Sequence, residues 1–304
     1  MKKIFLGMVW KDDKTPLFHV KSALTNKDEY IYIPQRIDIK NLHERFCVGT
    51  INPLTMEYVS CNNKVDTNNC QCNKCKFMFE FYKCVRCHGN DCDIHNEISK
   101  DYCNTPHLVY IAYFPGNKLK VGTASMRRKE ARLLEQGALH AIYIARTPNG
   151  RIARQIEKEI ISYGMSSSVS TVYKMKNLIY NDDSSEIQEI LIDKYDEIKN
   201  SISQNNVMYL IKPEFKSFPN ILNALSNLIG QYDDCLQYQS KYMIEKDVEV
   251  INGDFIIAVG KILAIKEENK IKLIDTKKME GFNFEFGEKI ILKTLDNGGS
   301  ELGR

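Results

Sequence analysis

The chain has 304 residues, of which 43% are hydrophobic, and it carries a net charge of +3. A chain of this length can bury a sizeable core, and two or three compact domains are expected. The small net charge excludes a polycation, so any nucleic-acid footprint must be local. The sequence contains no apolar run of about 18 residues, which excludes a membrane-spanning helix, and we expect no membrane partner.

The N-terminal part is predicted to be rich in β-strands. The segment MKKIFLGMVWKDDK lacks a small-residue cleavage site and becomes charged at once, so we interpret residues 3–10 as a strand and not as a secretion signal. Further short strands are predicted at residues 30–34 and 46–51 because β-branched and aromatic residues predominate there. Residues 1–60 therefore form the β-rich N-terminal part.

The cysteines are concentrated in one region of the chain. Nine of the ten lie between Cys47 and Cys103, and only Cys235 lies outside. Disulfide scaffolds spread their cysteines over the whole fold, whereas metal-binding modules concentrate them. Residues 61–106 also contain almost no aliphatic core, so a metal must supply folding energy there. We predict a cytoplasmic protein with a cysteine-rich zinc module at 61–106.

Two Cys-x2-Cys pairs, at 72/75 and 84/87, indicate how the zinc is held, because this spacing directs two thiolates at one ion. One or two structural Zn²⁺ ions are expected, with free buried cysteines or an iron–sulfur cluster as the alternatives. Cys47 and Cys235 are interpreted as core residues. The candidate ligands are Cys61, Cys70, Cys72 and Cys75 for one ion, and a choice among Cys84, Cys87, Cys92, His95, Cys103 and His107 for another.

A small mixed α/β domain is predicted at residues 107–180. Its expected elements are strands 107–114 and 118–124, a helix 127–136, a strand 139–146 and a helix 151–163. The turn residues Pro115-Gly116-Asn117 join the first two strands into a β-hairpin. Gly137 suits the end of the first helix, and the apolar spacing of the second helix has a helical period.

The remaining residues divide into a helical connector, 181–235, and a β-rich C-terminal domain, 236–304. In the connector, Asp183 and Glu186 are typical of a helix start, and a second helix is expected at 218–232. The buried stripe of the first helix is predicted to contain Ile187, Ile190, Leu191 and Ile198.

Two turns, Asn252-Gly253 and Glu268-Asn269, are predicted to separate the C-terminal strands, and the last residues, NGGSELGR, are expected to be frayed. The two β-rich ends each look too small to be stable alone, so we expect them to pair into one barrel. The overall fold class is predicted to be α+β.

Positive charge is focused between Asn104 and Met165. This segment has ten basic and four acidic residues, a net charge of +6, whereas the whole chain carries only +3. Such focusing is typical of a surface that binds phosphates.

The same segment resembles the GIY-YIG nucleases. Leu108-Val109-Tyr110 stands where that family has its first motif, and Lys120-Val121-Gly122 stands where it has the second. Arg132 falls on the following helix, with Gln136 where many members carry histidine, and Glu157 matches the family's metal-binding glutamate. The sequence departs from the family in both motifs, and the second tyrosine is replaced by Lys120.

The resemblance implies a metal-dependent nuclease that hydrolyses phosphodiesters, with Tyr110, Lys120, Arg132 and Glu157 as catalytic residues. Tyr110 or Lys120 would orient or deprotonate the water, and lysine can do so only if its pKa falls well below about 10.4. The guanidinium of Arg132 can bind two phosphate oxygens at once. Glu157 would hold one Mg²⁺ or Mn²⁺ ion.

Nucleic acid is therefore the predicted partner, either DNA or RNA, with RNA slightly favoured and the oligomeric state left open. A glycine on a strand, here Gly122, lets a phosphate backbone approach closely. The residues predicted to contact nucleic acid are Gly122, Arg127, Arg128, Lys129, Gln136, Arg151 and Arg154.

Three alternatives to a nuclease remain, and the least favoured, because of the focused charge, is a purely structural zinc protein that binds a partner. The protein could be an RNA-binding or tRNA-modifying zinc protein that keeps the fold without nuclease activity, and the missing second tyrosine favours this alternative. The chain is also similar, over nearly its full length, to a zinc-containing family with the pattern HxVYxA, KVG and R-x3-QGA, here residues 107–112, 120–122 and 132–138. That similarity implies no particular activity.

Overall fold

The computed structural model describes residues 1–11, 14–22, 24–66, 68–178, 184–230, 242–244, 249–268 and 270–287. The fold is α+β, as predicted. The chain divides into two compact units: unit 1 comprises Met1–Phe79 and Asn227–Arg304, and unit 2 comprises Glu80–Ser226. The boundary divides the predicted cysteine-rich module, so that its two Cys-x2-Cys pairs belong to different units.

The elements are numbered in chain order. The strands are β1 Lys2–Trp10, β2 Pro16–Ser22, β3 Asp28–Tyr32, β4 Arg36–Arg45, β5 Thr50–Ile51, β6 Tyr58–Val59, β7 His107–Phe114, β8 Lys118–Ser125, β9 His140–Thr147, β10 Leu210–Ser217, β11 Tyr242–Ile244, β12 Val250–Val259, β13 Ile262–Glu267, β14 Lys270–Asp275 and β15 Phe282–Phe286. The helices are α1 Asn73–Phe77, α2 Phe81–Arg86, α3 Glu97–Cys103, α4 Lys129–Gln136, α5 Gly150–Ser162, α6 Thr171–Lys176, α7 Ser184–Ser201, α8 Gln204–Val207 and α9 Pro219–Gly230, with 3-10 turns at Met126–Arg128 and Thr276–Met279.

Unit 1 is built around one sheet to which both ends of the chain contribute. Its strand order among the described residues is β11-β14-β13-β12-β4-β15-β1-β2-β3. Strand β4 lies between the two C-terminal strands β12 and β15 and is antiparallel to both. Its side chains alternate between buried and exposed because one face of the strand packs on the core. The predicted pairing of the β-rich ends is thus present. The predicted barrel is wrong for the described residues, because β3 and β11 are edge strands of the sheet and do not pair with each other.

The turn predicted at Asn252-Gly253 is wrong. Both residues lie inside β12, where they pair with Asp38 and Ile37 of β4. A Cβ atom at Gly253 would lie only 2.7 Å from the carbonyl oxygen of Lys266, so glycine is needed there for close strand packing. The chain instead reverses after β12 at Gly260, whose φ is +60°. The predicted strand at 46–51 is also shorter and begins only at Thr50 as β5.

Unit 2 contains a four-stranded antiparallel sheet with the order β10-β9-β7-β8. The predicted hairpin is present, with Phe114 opposite Lys118, and its turn residues Gly116 and Asn117 have φ angles of +78° and +58°. Strand β7 is buried along its whole length because it has strands on both sides and is covered on both faces. Strand β10, which the sequence analysis missed, pairs with β9 and closes the other edge.

The core of unit 2 lies between one face of this sheet and the helices α5 and α7. Asn149 begins α5 by accepting a hydrogen bond from the backbone N–H of Ile152 at 2.9 Å, and Gly137 ends α4 with a φ of +71°. The core includes Val109, Ile111, Val121, Ile142, Ile144, Ile156, Ile160, Ile187, Leu191 and Ile198. The stripe predicted for α7 is therefore buried, apart from the intermediate burial of Ile190.

Several predictions lie outside the described residues, namely those for Asp183, Cys235, Asn269 and residues 297–304. Within the described part of the chain, no helix combines the length and the apolar character needed to cross a membrane.

Candidate functional site

Four cysteines of unit 1 form a cluster of thiols. The sulfur atoms of Cys47, Cys61, Cys72 and Cys75 all lie within 4.8 Å of one another, and those of Cys61 and Cys72 are 3.8 Å apart. In a tetrahedral site with Zn–S bonds of about 2.3 Å, neighbouring sulfur atoms are about 3.8 Å apart. The cluster could therefore hold a metal ion such as zinc.

Local backbone structure positions these thiols. The backbone N–H groups of Gly49 and Cys72 donate to the sulfur of Cys47 at 3.4 and 3.3 Å. A Cβ atom at Gly49, whose φ is +72°, would lie 2.3 Å from the carbonyl oxygen of Val59, so only glycine fits this bend. The backbone N–H of Cys75 helps to lower the pKa of Cys72 to about 6, which favours the thiolate that a metal binds.

The predicted ligand set for this ion was wrong at one position. Cys70 does not belong to the cluster, and Cys47, interpreted from the sequence as a core residue, takes its place. The reason is that residues 47–49 are not part of a strand, so the bend at Gly49 turns the Cys47 thiol towards Cys72. Cys70 contributes its backbone instead, since its carbonyl oxygen accepts from the N–H of Val48 at 2.9 Å.

A buried lysine adjoins the thiol cluster. Lys21 on β2 is completely buried, and its ammonium donates to the carbonyl oxygen of Cys61 at 2.5 Å and to the side-chain oxygen of Asn62 at 3.1 Å. Burial lowers the pKa of Lys21, and the neighbouring thiols of Cys61 and Cys47 oppose that shift. A lysine within the apolar sequence of β2 was the signal that could have identified it.

The second predicted ligand set, in unit 2, is less closely gathered. Within the described ranges, only the four cysteines of unit 1 meet at metal-ligand distance. Cys84 nevertheless lies close enough to Cys103, Cys87 and Cys92 for their charges to act on it, and burial raises its pKa to about 11. His95 does not join them: it is exposed, and its backbone N–H donates to the Glu80 carboxylate at 2.7 Å.

Polar side chains of α5 hold the cysteine-containing segment 84–90. Arg154 donates to the carbonyl oxygen of Cys84 at 3.0 Å, and both Arg151 and Gln155 donate to that of Gly89, at 3.0 and 2.8 Å. A Cβ atom at Gly89 would lie 2.4 Å from the carbonyl oxygen of Arg151, so the two segments touch through backbone. Arg151, predicted to contact phosphate, is therefore used to anchor this segment.

The four residues predicted to be catalytic line one cavity of unit 2, with a volume of about 380 Å³. We call this cavity the basic cleft. Five of its described lining residues are basic and one, Glu157, is acidic. Its lining includes Gly122 and the polar side chains of Cys87, His88, Tyr110, Lys120, Thr123, Ser125, Arg128, Arg132, Arg154, Glu157, Lys158 and Ser167.

The fold brings these side chains together at the edge strand β8. Both α4 and α5 contact this strand, and α4 contributes Arg132 while α5 contributes Glu157. Tyr110 on β7 lies directly opposite Gly122 on β8, and a Cβ atom at Gly122 would be 2.4 Å from the phenol oxygen. Gly122 therefore provides the space that the tyrosine ring occupies, in addition to lining the cleft.

Gln136 connects two of the catalytic candidates from behind the cleft. Its side-chain amide donates to the phenol oxygen of Tyr110 at 2.7 Å and accepts from the ammonium of Lys120 at 2.5 Å. Gln136 itself is not among the lining residues, and its contact with nucleic acid stays a prediction.

The charges of the cleft shift the pKa values of its titratable groups. Burial, with Arg132 and Lys174 nearby, lowers the pKa of Lys120 to about 8. Burial raises the pKa of Glu157, although Arg154, Lys120 and Arg132 oppose that shift. Burial also raises the pKa of Tyr110, whose side chain is fully enclosed. At neutral pH the cleft is thus strongly positive and contains a lysine that loses its proton readily.

Of the three basic residues at 127–129 that were predicted to contact nucleic acid, one lines the cleft and two do not. Arg128 lines the cleft and pairs through its guanidinium with Glu135 at 2.5 Å, whereas Arg127 and Lys129 are not among the lining residues. The sequence analysis missed Lys174, which donates to the carbonyl oxygen of Gln136 at 2.6 Å. It also missed the apolar residues that α2 and α3 contribute to the lining, namely Phe81, Val85 and Tyr102.

The fold and the two sites thus define a mixed α+β protein with a four-cysteine cluster that could bind metal and a separate basic cleft. The model of a family described as a protein of unknown function, DUF2797, matches residues 34–284, and the chain belongs to this family. Neither the curated proteins nor the solved structures contain a match to the chain.

Proposed function

We propose that the protein hydrolyses phosphodiester bonds of a nucleic acid in the basic cleft, as a metal-dependent, GIY-YIG-like nuclease. One observation carries this proposal: Tyr110, Lys120, Arg132 and Glu157, which are far apart in the sequence, line the same cavity. They supply a proton acceptor, a cation for the phosphate and a carboxylate for a metal ion, which are the groups that this reaction needs.

Binding of the phosphate is the first step. The five basic residues lining the cleft create a positive potential that attracts the nucleic-acid backbone. Arg132 is exposed, and its planar guanidinium suits two oxygens of one phosphate. Arg154 and Arg128 have part of their hydrogen-bonding capacity engaged by Cys84 and Glu135, so they contribute mainly charge.

Lys120 is a better proton acceptor than Tyr110. Burial raises the pKa of Tyr110, whereas the pKa of Lys120 is lowered to about 8, so about one tenth of the lysine is neutral at pH 7. The neutral amine takes a proton from water, the resulting hydroxide attacks phosphorus, and the bond to the leaving oxygen breaks. That oxygen takes its proton from solvent, to which the cleft is open. Tyr110 keeps a positioning role through Gln136.

Glu157 would hold the divalent ion. It is the only carboxylate among the described lining residues, and carboxylate oxygens are ligands that such an ion prefers. Mg²⁺ or Mn²⁺ bound there supplies Lewis-acid stabilisation of charge on the phosphate. Because the surrounding side chains are positive, we expect the ion to bind together with the substrate phosphate and not before it.

The cysteines have a structural role in this proposal. Cys47, Cys61, Cys72 and Cys75 would hold one Zn²⁺ ion with four protein ligands, as in structural sites. A second Zn²⁺ ion is proposed for unit 2, where Cys84, Cys87, Cys92 and Cys103 lie near one another.

A second candidate function is nucleic-acid binding without cleavage, as in an RNA-binding or tRNA-modifying zinc protein. Two observations support it. The phenol of Tyr110 is fully buried and hydrogen-bonded to Gln136, and Lys120 replaces the second tyrosine of the nuclease motif. The basic cleft serves this function equally well because phosphate binding needs only its charge.

A cleavage assay separates the two functions. Labelled single-stranded and duplex DNA and RNA are incubated with Mg²⁺ or Mn²⁺ and either the wild type or an Arg132→Ala, Glu157→Gln double variant. Glu159→Gln is the matched control, because Glu159 lies on the same helix but is hydrogen-bonded to Ser203 and Asn206 and does not line the cleft. We expect cleavage by the wild type and the control alone. Equal cleavage by the double variant indicates contamination, and absence of cleavage by every protein contradicts the nuclease proposal.

A further inference from the structure

Two parts of the lining of the basic cleft differ in chemistry. The part of the lining from β8, α4 and α5 carries the basic residues Lys120, Arg132 and Lys158. The part from α2 and α3 carries Phe81, Val85 and Tyr102, which we call the aromatic wall. Val85 is 72% exposed, so an aliphatic side chain is accessible to solvent beside the charged residues of the cleft. An apolar surface kept accessible next to phosphate-binding groups indicates a ligand with an apolar part.

The rings of the wall are fixed by contacts with each other and with β7. Phe81 and Tyr102 meet edge to face with their centroids 5.2 Å apart, and Tyr102 meets His107 in the same way, also at 5.2 Å. Edge-to-face pairs of this kind restrict the rotation of both rings. The wall is therefore a formed surface and does not have to be assembled by the ligand.

Hydrogen bonds also hold the two helices that carry the wall. The carboxylate of Glu80, directly before α2, accepts from the backbone N–H groups of His95 and Asn96 at 2.7 and 2.9 Å. Asn96 caps α3, which carries Tyr102, so one carboxylate joins the helix of Phe81 to the helix of Tyr102. These bonds lower the pKa of Glu80 to about 2, and the carboxylate stays ionised at neutral pH.

We propose that the basic cleft binds a single-stranded nucleic acid whose unstacked base lies against Phe81, Val85 and Tyr102 while its phosphate contacts the basic residues. This rests on the proposed function in so far as the ligand is a nucleic acid. Aromatic surfaces beside a basic groove bind bases with little sequence preference because every base has a π-face. In a duplex the bases are paired and stacked, so duplex substrates cannot use the wall unless a base is extruded.

A binding measurement without divalent ions tests this inference separately from cleavage. Fluorescence anisotropy compares three probes: a labelled oligouridylate of about 12 nucleotides, the same strand with abasic positions, and a duplex of equal length. The variants are Phe81→Leu, which keeps an apolar side chain without the ring, and Val85→Ser, which changes an exposed residue. Tyr82→Leu is the matched control, since Tyr82 is the next residue of α2 but is not among those lining the cleft.

We expect Phe81→Leu to weaken binding of the single strand about 5- to 100-fold, as loss of one stacked base does, and Val85→Ser to weaken it less. Both variants and Tyr82→Leu should bind the abasic strand and the duplex as the wild type does. The inference is overturned if the wild type binds abasic and intact strands equally, or if no probe binds at all. Base-dependent binding without any cleavage contradicts the nuclease proposal alone.

Discussion

Each unit buries a lysine beside its candidate site. The charged groups around the lysine of unit 1 are negative, whereas those around the lysine of unit 2 are mainly positive. In unit 1, Lys21 lies against the thiols of the four-cysteine cluster and donates to the carbonyl oxygen of Cys61. In unit 2, Lys120 lies near Arg132 and Lys174 and donates to the side chain of Gln136. Burial removes hydration from both ammonium groups. The charges that act on Lys21 are negative, whereas near Lys120 two cations, Arg132 and Lys174, outweigh the single carboxylate of Glu157.

In the proposed mechanism, this difference in surrounding charge distinguishes a structural lysine, Lys21, from a reactive one, Lys120. Thiolates beside Lys21 favour its charged form, and the charged form in turn would offset the negative charge of four sulfur atoms around the proposed metal ion. Cations beside Lys120 favour its neutral form, and a neutral amine can accept a proton from water. The comparison leads to four predictions, which follow from the largest expected effect to the smallest.

The largest effect is expected for loss of the metal ion from unit 1. Cys47→Ser removes one of the four ligands, and we expect the protein to lose one equivalent of zinc and several kcal/mol of unfolding free energy, because such ions contribute directly to folding. Zinc content and chemical denaturation measure the two losses. Cys70→Ser is the matched control and should keep its zinc and its stability. If Cys47→Ser kept both and Cys70→Ser lost both, the proposed ligand would be Cys70 and not Cys47.

The second effect is on the rate of cleavage. Lys120→Arg keeps the positive charge but cannot accept a proton, so we expect cleavage to fall about 10²- to 10⁴-fold with little change in oligonucleotide affinity. In the wild type the rate should rise with pH up to about 8, as Lys120 loses its proton. A variant that retains the wild-type rate and pH profile would show that Lys120 is not the base.

The third effect is the pH dependence of stability. The pKa of Lys120 is about 8 in the folded protein and near its ordinary value of 10.5 in the unfolded chain. Between these two pH values Lys120 is protonated in the unfolded chain but neutral in the folded protein. The unfolding free energy therefore rises with pH, and this group contributes roughly 3 kcal/mol to the rise at most. Denaturation of wild type and Lys120→Met at pH 7 and pH 10 should show a larger rise in the wild type, by up to roughly 3 kcal/mol, and an equal rise in both proteins would contradict it.

The smallest effect concerns the other buried lysine. Lys21→Met keeps the size of the side chain but removes its charge and its hydrogen bond to the carbonyl of Cys61. We expect zinc affinity to fall about 10- to 100-fold, the usual cost of losing a group that supports a ligand. Competition with a chelator measures this affinity. Unchanged affinity would mean that Lys21 serves only to fill the core.

Local signals in the sequence were sufficient for part of the fold. The hairpin of β7 and β8 was predicted because Gly116 and Asn117 favour the positive φ angles of its turn, and the end of α4 was predicted for the same reason from Gly137. Asn252-Gly253 carries a similar turn signal, yet it lies within β12 because pairing with β4, more than 200 residues earlier, overrides local preference.

The candidate site was likewise predicted from the sequence only in part. The resemblance to a known motif identified Tyr110, Lys120, Arg132 and Glu157, all of which line the basic cleft. Cysteine spacing could not identify Cys47 as a ligand, because its position depends on a backbone bend that only the folded chain shows. The aromatic wall was missed because Phe81 and Tyr102 come together only through contacts between two short helices.

A crystal structure of the Lys120→Arg variant with a short single-stranded oligonucleotide tests the central claim most directly. We predict that one phosphate lies in the basic cleft, hydrogen-bonded to Arg132 and near Glu157. An oligonucleotide bound elsewhere on the protein, with the basic cleft empty, would contradict the account.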